Sequence, residues 1–219
     1  MNNLWIGQFG DDYTERQKEN ITERVYLLAD ALKMVLGDIH SVCEFGANVG
    51  ENIKAYKELV GSGKWVMTPE FSGIEINPNC CDKLSEHTFV YNQSITKPIK
   101  EKFDLVFTRG VLIHLPKSDL TKAINNMYNC SNKYILIAEY HSPERRMIPY
   151  RGLDDALWID DYFKPFLKKG CQIIDCGFQY ESHITWALFY KGGDTDVDGN
   201  DSNGKQSIKG GDEIEKGKR

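Results

Sequence analysis

The stretch 41–50, with the sequence SVCEFGANVG, constrains the fold of this chain more than any other. Residues 41–45 are few and mostly apolar, which is typical of a buried strand. Gly46 and Gly50 follow where a backbone must turn sharply and let a ligand come close, and a helical pattern over 51–59 begins at once. Strand, glycine turn and helix predict the nucleotide-binding corner of an open α/β sheet, in which ligands lie beyond the carboxyl ends of the strands.

The spacing of the glycines indicates which kind of nucleotide this corner binds. A dinucleotide fingerprint requires G-x-G-x-x-G, so that a pyrophosphate rests on the helix N-terminus, but positions 48 and 51 are Asn and Glu here. The pattern Glu44-x-Gly46-x-Asn48-x-Gly50 instead resembles motif I of the class I S-adenosylmethionine (SAM) methyltransferases, whose middle residue is usually Gly. An acid at the turn suits a ligand with an ammonium, a sulfonium and no phosphate, and it disfavours a nicotinamide-dependent oxidoreductase.

The next two predicted strands carry residues that fit a nucleoside. The second strand, 71–76, has Glu75 near its end, where a carboxylate can accept both ribose hydroxyls through its two oxygens. The third strand, 88–92, is followed by Ser94, a hydrogen-bonding residue close to the expected position of the adenine. The residues that we expect to contact the nucleoside are Glu75, Ile76, Ser94 and Ile95.

Two later apolar runs predict strands with polar residues at their ends. The run 103–108 is almost entirely apolar, as expected of a parallel strand that is buried on both faces. The run 134–141 has a polar end. The carboxyl ends of parallel strands meet at one edge of a sheet, so these side chains should converge with Glu44 and Glu75. We expect Thr108 and Arg109 to contact the cofactor, and Glu139 and Tyr140 to contact the acceptor.

The segment 142–157 shows no clear period and gathers cationic and aromatic side chains. An irregular insertion at the carboxyl end of a sheet is a natural lid over an acceptor, and we place such a lid near 142–158. Its arginines would bind an acidic acceptor through forked hydrogen bonds, unless they are ordinary surface residues. The cationic and aromatic side chains of the lid include Arg145, Arg146, Tyr150 and Arg151.

Beyond the lid, a helix is predicted around 160–169. The runs 171–175 and 184–190, separated by Gly177, predict a closing antiparallel hairpin.

The chain divides into three parts. An N-terminal lid and a helix occupy 1–40, a cofactor-binding core occupies 41–191, and a polar tail occupies 192–219. The tail has too few apolar residues to order itself, so we expect it to be disordered. Residues 194–199 match the start of an EF-hand calcium loop, but the twelfth position is Lys205 where a bidentate Glu belongs. We therefore expect no metal site there.

Composition narrows the function classes. With 219 residues, 41% of them hydrophobic, the chain can bury one core, and a net charge of −5 disfavours nucleic acid as a partner. None of the six cysteines forms a C-x-x-C pair, so we expect reduced thiols and no zinc site. No run approaches the ~20 apolar residues of a membrane span, and the chain does not start with a signal peptide. We expect a cytoplasmic monomer or homodimer without membrane contact.

Several separate segments resemble one family, the pseudaminic-acid-biosynthesis-associated methylases. They are WIGQFGDDYTER at 5–16, EFGANVG at 44–50, GVLIHL at 110–115, AEY at 138–140, PYRG at 149–152 and the Thr185–Trp186 pair. The resemblance covers about 5–191, with departures at His141, where a second Tyr is expected, and at 181–183, which replace a longer acidic segment. Both departures lie near the expected acceptor.

This resemblance implies a Rossmann-like α/β fold with a seven-stranded, mostly parallel sheet, an antiparallel last strand and helices on both faces. It implies SAM as the cofactor and a small polar, sugar-like acceptor from a nonulosonic-acid pathway. Tyr13 and Arg16 would close over SAM, with Arg16 reaching the methionine carboxylate. Tyr150 and Arg151 would contact the acceptor.

Two histidines are candidates for the general base that a hydroxyl acceptor needs. His114 and His141 follow predicted strands and have an unperturbed pKa suited to proton transfer, and we favour His114. Either could instead be a packed or hydrogen-bonded structural residue, and a carboxylate or deprotonated amine acceptor would need no base. The sequence also leaves open a non-catalytic SAM-binding scaffold and, less favoured, an NAD(P)-dependent oxidoreductase.

Overall fold

The computed structural model describes residues 2–16, 21–62 and 67–192. The predicted disordered tail therefore lies outside the described residues, except for Gly192. None of the helices in the described part of the chain is both long enough and apolar enough to cross a membrane.

Helices and strands alternate along most of the chain. The helices are α1 (Asn2–Ile6), α2 (Gln8–Arg16), α3 (Ile21–Leu32), α4 (Glu51–Ser62), α5 (Pro78–Ser85), α6 (Lys117–Cys130) and α7 (Lys164–Lys168), with 3₁₀ turns at Leu36–Asp38 and Leu112–His114. The strands are β1 (Ser41–Phe45), β2 (Glu70–Glu75), β3 (Phe89–Asn92), β4 (Phe103–Arg109), β5 (Ser131–Glu139), β6 (Arg146–Met147), β7 (Trp158–Ile159), β8 (Gln172–Gln179) and β9 (Ile184–Tyr190).

Seven of these strands form one sheet in the order β3-β2-β1-β4-β5-β9-β8. Strands β1 to β5 are parallel, whereas β9 runs antiparallel to both β5 and β8. The predicted seven-stranded sheet with an antiparallel last strand is therefore confirmed. The strand order reverses between β1 and β4, which makes the carboxyl ends of these two strands the switch point at which open α/β sheets bind ligands.

Hydrophobic cores cover both faces of the sheet. Val42 of β1 packs with α3 and α4 on one face, and its neighbour Cys43 packs with α6 and α7 on the other. This separation follows from the strand geometry, because successive side chains point to opposite faces. The buried residues of β4 alternate in the same way, with Leu105 in the first core and Val106 in the second.

Two predicted boundaries were wrong. Gly177 was expected to lie between two strands but lies inside β8, where the indole ring of Trp186 occupies the space of a side chain. A Cβ at Gly177 would lie 2.6 Å from Trp186 Cζ2. The helix predicted around 160–169 begins only at Lys164, because Asp160 instead forms an isolated bridge with His141. Asp161 then caps the shortened helix, its Oδ1 accepting from the Lys164 N–H at 2.9 Å.

Candidate functional site

A cavity of about 460 Å³ opens at the carboxyl ends of the parallel strands. Its volume lies within the roughly 300–1,000 Å³ of small-molecule sites. The glycine turn after β1, the ends of β2 and β4, helices α1 and α2, the insertion 140–157 and the β8–β9 turn all contribute to its walls. It therefore combines the switch point of the sheet with segments that are far apart in the sequence.

The glycine turn depends on backbone geometry. Gly46 has φ +80° and Asn48 has φ +50°, a left-handed conformation that Asn adopts more readily than most other residues, so the Asn in place of the usual Gly fits here. A Cβ at Gly46 would lie 2.7 Å from Val111 Cγ1. The N–H groups of Gly46 and Ala47 donate to the Ile74 carbonyl at 2.8 and 3.0 Å, which fastens the turn to β2.

Glu75 at the end of β2 is held by three backbone N–H groups. Its Oε2 accepts from Asn48 N at 2.8 Å, and its Oε1 accepts from Ile76 N and Asn77 N, each at 2.8 Å. Burial raises the pKa of Glu75, and these hydrogen bonds oppose that shift. A carboxylate offers about four acceptor positions, so Glu75 can still accept hydrogen bonds from a ligand in the cavity that it lines.

Beneath the turn lies a buried charged network that the sequence analysis missed. Glu44 Oε1 accepts from Asn52 Nδ2 at 2.6 Å, and Asn52 Oδ1 accepts from Arg24 Nη1. Burial raises the pKa of Glu44 to about 8, although the Asn52 bond and the charges of Arg24 and Arg109 oppose the shift. Glu44 does not line the cavity, but Arg24, Asn52 and Arg109 do.

Helix α2 lies across the glycine turn. Thr14 Oγ1 lies 3.0 Å from Asn48 Oδ1, and Asn77 Nδ2 donates to Asp11 Oδ1 at 2.9 Å. Tyr13 consequently lines the cavity. Arg16, which was expected to reach the cofactor, is exposed at the far end of α2 and does not line it.

His114 lines the cavity from the 3₁₀ turn after β4, and one of its ring nitrogens is fixed. Nδ1 lies 2.7 Å from the Ala156 carbonyl oxygen, and because a carbonyl can only accept, Nδ1 carries the hydrogen. In the neutral ring the lone pair is therefore on Nε2. Burial lowers the pKa of His114 to about 4, against the opposing effect of the Ala156 bond, so the ring is neutral at pH 7.

Glu139 was predicted to contact the acceptor, but it does not line the cavity. It holds the turn that carries His114 instead. The carboxylate is buried and accepts from Val111 N at 3.0 Å, Leu112 N at 3.1 Å and Ile113 N at 3.4 Å. Burial raises its pKa to about 7, opposed by these bonds. Thr108 is also fully buried, and its hydroxyl lies 3.4 Å from Glu139 Oε1, so it too lies behind the cavity wall.

Aromatic side chains surround His114 in the cavity. The ring centroids of Trp5 and Tyr150 lie 4.6 and 5.4 Å from that of His114, and Tyr13 lies 5.3 Å from Trp5. We call Trp5, Tyr13, His114 and Tyr150 the aromatic wall. Sequence analysis did not assign a role to Trp5, because its contact with His114 depends on how α1 packs.

Other predicted acceptor residues lie outside the cavity. The His141 ring stacks on Phe163 at 4.9 Å. Arg145 donates to Asp160 Oδ2 and to the Leu115 carbonyl, each at 2.9 Å. Arg151 has φ +52° and is exposed over the Tyr150 ring. The insertion therefore does not present these arginines to a ligand in this cavity.

The β8–β9 turn closes the remaining side. Glu181, Ser182 and His183, the segment that departs from the resembled family, line the cavity. Ser182 Oγ donates to Gln179 Oε1 at 2.6 Å, and Gln179 Nε2 donates to the Glu23 carbonyl at 2.6 Å. These bonds join the turn to α3, the helix that supplies Arg24.

The structure thus separates the predicted site residues into two sets. Those that line the cavity are Tyr13, Gly46, Asn48, Glu75, Ile76, Ser94, Ile95, Arg109, His114, Tyr140 and Tyr150. Those that do not are Arg16, Glu44, Gly50, Thr108, Glu139, His141 and Arg151. Gly50 is needed for packing instead, since a Cβ there would lie 2.8 Å from Leu84 Cδ1.

Comparisons with known proteins support the fold. No model of a protein family matches this chain, and no curated protein matches its sequence. Among solved structures, the chain is similar to the SAM-bound magnesium protoporphyrin IX methyltransferase of Synechocystis PCC 6803, with a TM-score of 0.62 at 14% identity over 87% of this chain and 95% of that one. It is also similar to the SAM-bound amino pentose methyltransferase of Micromonospora echinaspora, involved in calicheamicin biosynthesis, with a TM-score of 0.64 at 12% identity over 85% and 98%.

A third similar structure contains both of its ligands. It is the 1,6-didemethyltoxoflavin-N1-methyltransferase of Burkholderia thailandensis with its substrate and S-adenosylhomocysteine, and it has a TM-score of 0.60 at 11% identity over 86% of this chain and 85% of that one. At such identities the similarity establishes the fold, which is the Rossmann-like fold of class I methyltransferases.

Proposed function

We propose that this protein is a SAM-dependent methyltransferase that acts on a small-molecule acceptor. The observation that carries the proposal is the position of Glu75, which faces the cavity at the end of β2 with Asn48 of the glycine turn bonded to it. The solved structures of similar fold are methyltransferases, several of them with SAM or S-adenosylhomocysteine bound. A cytoplasmic location and a monomeric or dimeric state stay predictions.

The residues around the cavity fit this cofactor. Glu75 would accept a hydrogen bond from a ribose hydroxyl at its remaining acceptor position, and Ser94 and Ile95 would contact the adenine beyond β3. Arg24 would pair with the methionine carboxylate, since a guanidinium matches a carboxylate with two parallel hydrogen bonds. No phosphate is needed for this fit, and Glu51, which lines the cavity at the start of α4, would repel the pyrophosphate of a dinucleotide.

In this function SAM, when bound, supplies an electrophilic methyl group and keeps the electron pair of its broken carbon–sulfur bond on sulfur. His114 accepts the proton of the acceptor at Nε2, because its Nδ1–H is engaged by the Ala156 carbonyl. Glu139 orients the turn that carries His114 through three backbone N–H groups. Helices α1 and α2 and the insertion form the walls of this part of the cavity.

A sugar-like acceptor of the pseudaminic-acid pathway is the finer form of this proposal. Its support is the resemblance of the sequence segments and the fold shared with an amino pentose methyltransferase. The arginines that would bind an acidic sugar do not line the cavity, so the described geometry does not favour an acidic member of that class.

The test of the proposal is the binding of S-adenosylhomocysteine to the wild type and to Glu75→Ala. We expect the affinity to fall roughly 10- to 100-fold, because one hydrogen bond to a charged group, of about 1.5–3 kcal/mol, is lost. Isothermal titration calorimetry measures this change, and a thermal midpoint without ligand shows whether the variant is folded. Glu70→Ala, at the exposed start of the same strand, is the matched control and should bind as the wild type does.

Thermal unfolding in the presence of NAD or of S-adenosylhomocysteine distinguishes the alternative functions. Ligand at a hundred times its Kd adds about 2.7 kcal/mol of stability. A stabilisation by NAD and none by S-adenosylhomocysteine would support an oxidoreductase and contradict the proposal. Binding without turnover of any acceptor would favour the SAM-binding scaffold.

A further inference from the structure

We propose that the acceptor is an uncharged, flat aromatic molecule with a phenol-like hydroxyl, bound against the aromatic wall beside His114. The inference rests on the proposed function and names the substrate class of the same cavity. It replaces the acidic sugar expected from the insertion arginines by a different chemistry. Three features of the described residues support it, namely the distribution of charge, the shape of the wall and the state of His114.

The arginines that line the cavity lie close to the buried Glu44. Among the described residues that line the cavity, the arginines are Arg24 and Arg109, and no lysine contributes. Both arginines are close enough to Glu44 to lower its pKa, which places them beneath the glycine turn. Arg145 is engaged with Asp160 and the Leu115 carbonyl. Arg151 lies over the Tyr150 ring but does not line the cavity. An anionic acceptor at the aromatic wall would therefore lose its hydration without a cationic partner from the insertion.

The aromatic wall is shaped for a flat ring. Trp5 and Tyr150 contact His114 at centroid distances of 4.6 and 5.4 Å with interplanar angles of 53° in both pairs, and Phe9 lies edge-on behind Tyr150 at 6.4 Å. Tilted and edge-to-face contacts are the arrangements that aromatic rings prefer. Glu75, by contrast, lies at the end of β2, where the backbone N–H of Asn48 already donates to its Oε2.

The state of His114 favours an acidic hydroxyl. Burial lowers the pKa of His114 to about 4, so its Nε2 is neutral and ready to accept a proton, but it is a weak base. A tyrosine-like phenol has a pKa of about 10, whereas an aliphatic hydroxyl is closer to water at about 15.7. The phenol proton passes to Nε2 far more readily, because the difference in acidity that the base must overcome is smaller.

The test measures the binding of four probes to the complex with S-adenosylhomocysteine by calorimetry. They are 2-naphthol, its anionic analogue 2-naphthoate, N-acetylneuraminic acid and methyl glucoside. We expect 2-naphthol to bind more tightly than the other three and, with SAM, to yield 2-methoxynaphthalene. Tyr150→Ala should weaken 2-naphthol about fivefold without changing the affinity for S-adenosylhomocysteine. The exposed Tyr26 provides the matched control, and Tyr26→Ala should bind 2-naphthol as the wild type does.

Each other outcome overturns a defined part. Tighter binding of either sugar or of 2-naphthoate contradicts the uncharged aromatic acceptor. Failure of all four probes while S-adenosylhomocysteine binds also contradicts it, but leaves the proposed function intact. If the protein binds 2-naphthol but not S-adenosylhomocysteine, the proposed function is contradicted, whereas the binding site for an aromatic molecule is supported.

Discussion

The cofactor side and the acceptor side of the cavity are constructed in different ways. The cofactor side, as proposed, centres on the glycine turn 44–52 and on 75–77, and backbone N–H groups fix its key carboxylate, Glu75. The acceptor side brings together Trp5, His114 and Tyr150 from three distant segments, mainly through ring contacts. Backbone geometry is shared by many sequences, whereas ring packing depends on each side chain. The difference implies that substitutions on the acceptor side can change the substrate while the cofactor site is preserved.

The two sides also differ in their response to pH. Burial raises the pKa of Glu44 beneath the cofactor side and lowers the pKa of His114 on the acceptor side. The folded state therefore binds an extra proton at Glu44 and gives up a proton at His114, each relative to the unfolded chain. Glu44 contributes stability that is lost as pH rises, and His114 contributes stability that is lost as pH falls.

The largest expected effect is on the acceptor side. His114→Asn should lower kcat by about 100- to 10,000-fold, since this is the usual contribution of a general base, and it should leave the affinity for S-adenosylhomocysteine unchanged. In the wild type the base is neutral above its pKa of about 4, so kcat should be flat near neutral pH and fall as the medium approaches pH 4. Steady-state rates with 2-naphthol over this pH range provide the measurement.

His141→Asn is the control for this experiment, because His141 stacks on Phe163 outside the cavity. Its kcat should remain close to that of the wild type. A large loss in His141→Asn, or an unchanged rate in His114→Asn, would show that the base has been assigned to the wrong residue or that the acceptor needs none.

The geometry of the proposed cofactor side follows from the sequence more directly than that of the acceptor side, because its determinants are local. Gly46 and Asn48 occupy left-handed backbone positions within a few residues of β1, and the acid at the end of β2 follows from the strand pattern. Arg24 was not foreseen, because it belongs to a helix whose visible signal is the packing of Val25 and Leu28. Its contact with Asn52 depends on how α3 lies against α4, which periodicity does not report.

On the acceptor side, the sequence was a poorer guide to which residues line the cavity. Glu139 was predicted to bind the acceptor, because a carboxylate at a strand end resembles a ligand group. In the structure, both carboxylate oxygens of Glu139 accept hydrogen bonds from the backbone N–H groups of 111–113. The amino-acid sequence does not indicate such backbone partners. The exposed Arg151 was misjudged for a related reason, since composition shows which residues a lid contains but not the direction in which they point.

A smaller effect is expected from Glu44→Gln, which tests the protonation of the buried Glu44 beneath the cofactor side. The amide keeps the shape of the protonated acid and can still accept from Asn52, while the proton uptake of Glu44 disappears. The wild type should lose about 3 kcal/mol of stability between about pH 5.5 and pH 8 from this group alone, because the folded pKa is about 8 and the unfolded pKa is 4.5. The variant should lack that loss, which urea unfolding at the two pH values would measure.

The control for this prediction is Glu58→Gln on the exposed face of α4. It should follow the pH dependence of the wild type. An equal pH dependence in Glu44→Gln and the wild type would mean that Glu44 is ionised in the folded state and that Arg24 and Arg109 outweigh its burial.

The smallest effect, from Gly10→Ala, separates the two sides most directly. A Cβ at Gly10 would lie 2.1 Å from the Trp5 carbonyl oxygen, and because this is a backbone atom, α1 must move and take Trp5 away from His114. We expect a loss of about 1–2 kcal/mol in stability, a clearly weaker affinity for 2-naphthol and little change for S-adenosylhomocysteine. Urea unfolding and calorimetry on the same preparation measure all three quantities.

Gly37→Ala is a suitable control for Gly10→Ala, since a Cβ there meets no atom within 4 Å. It should change neither ligand affinity. An equal loss of both ligands in Gly10→Ala would mean that α1 and α2 move as one body, because α2 bonds to the cofactor side through Thr14 and Asp11. In that case the two sides of the cavity would be coupled through the N-terminal helices, and a change of acceptor specificity would also alter cofactor binding.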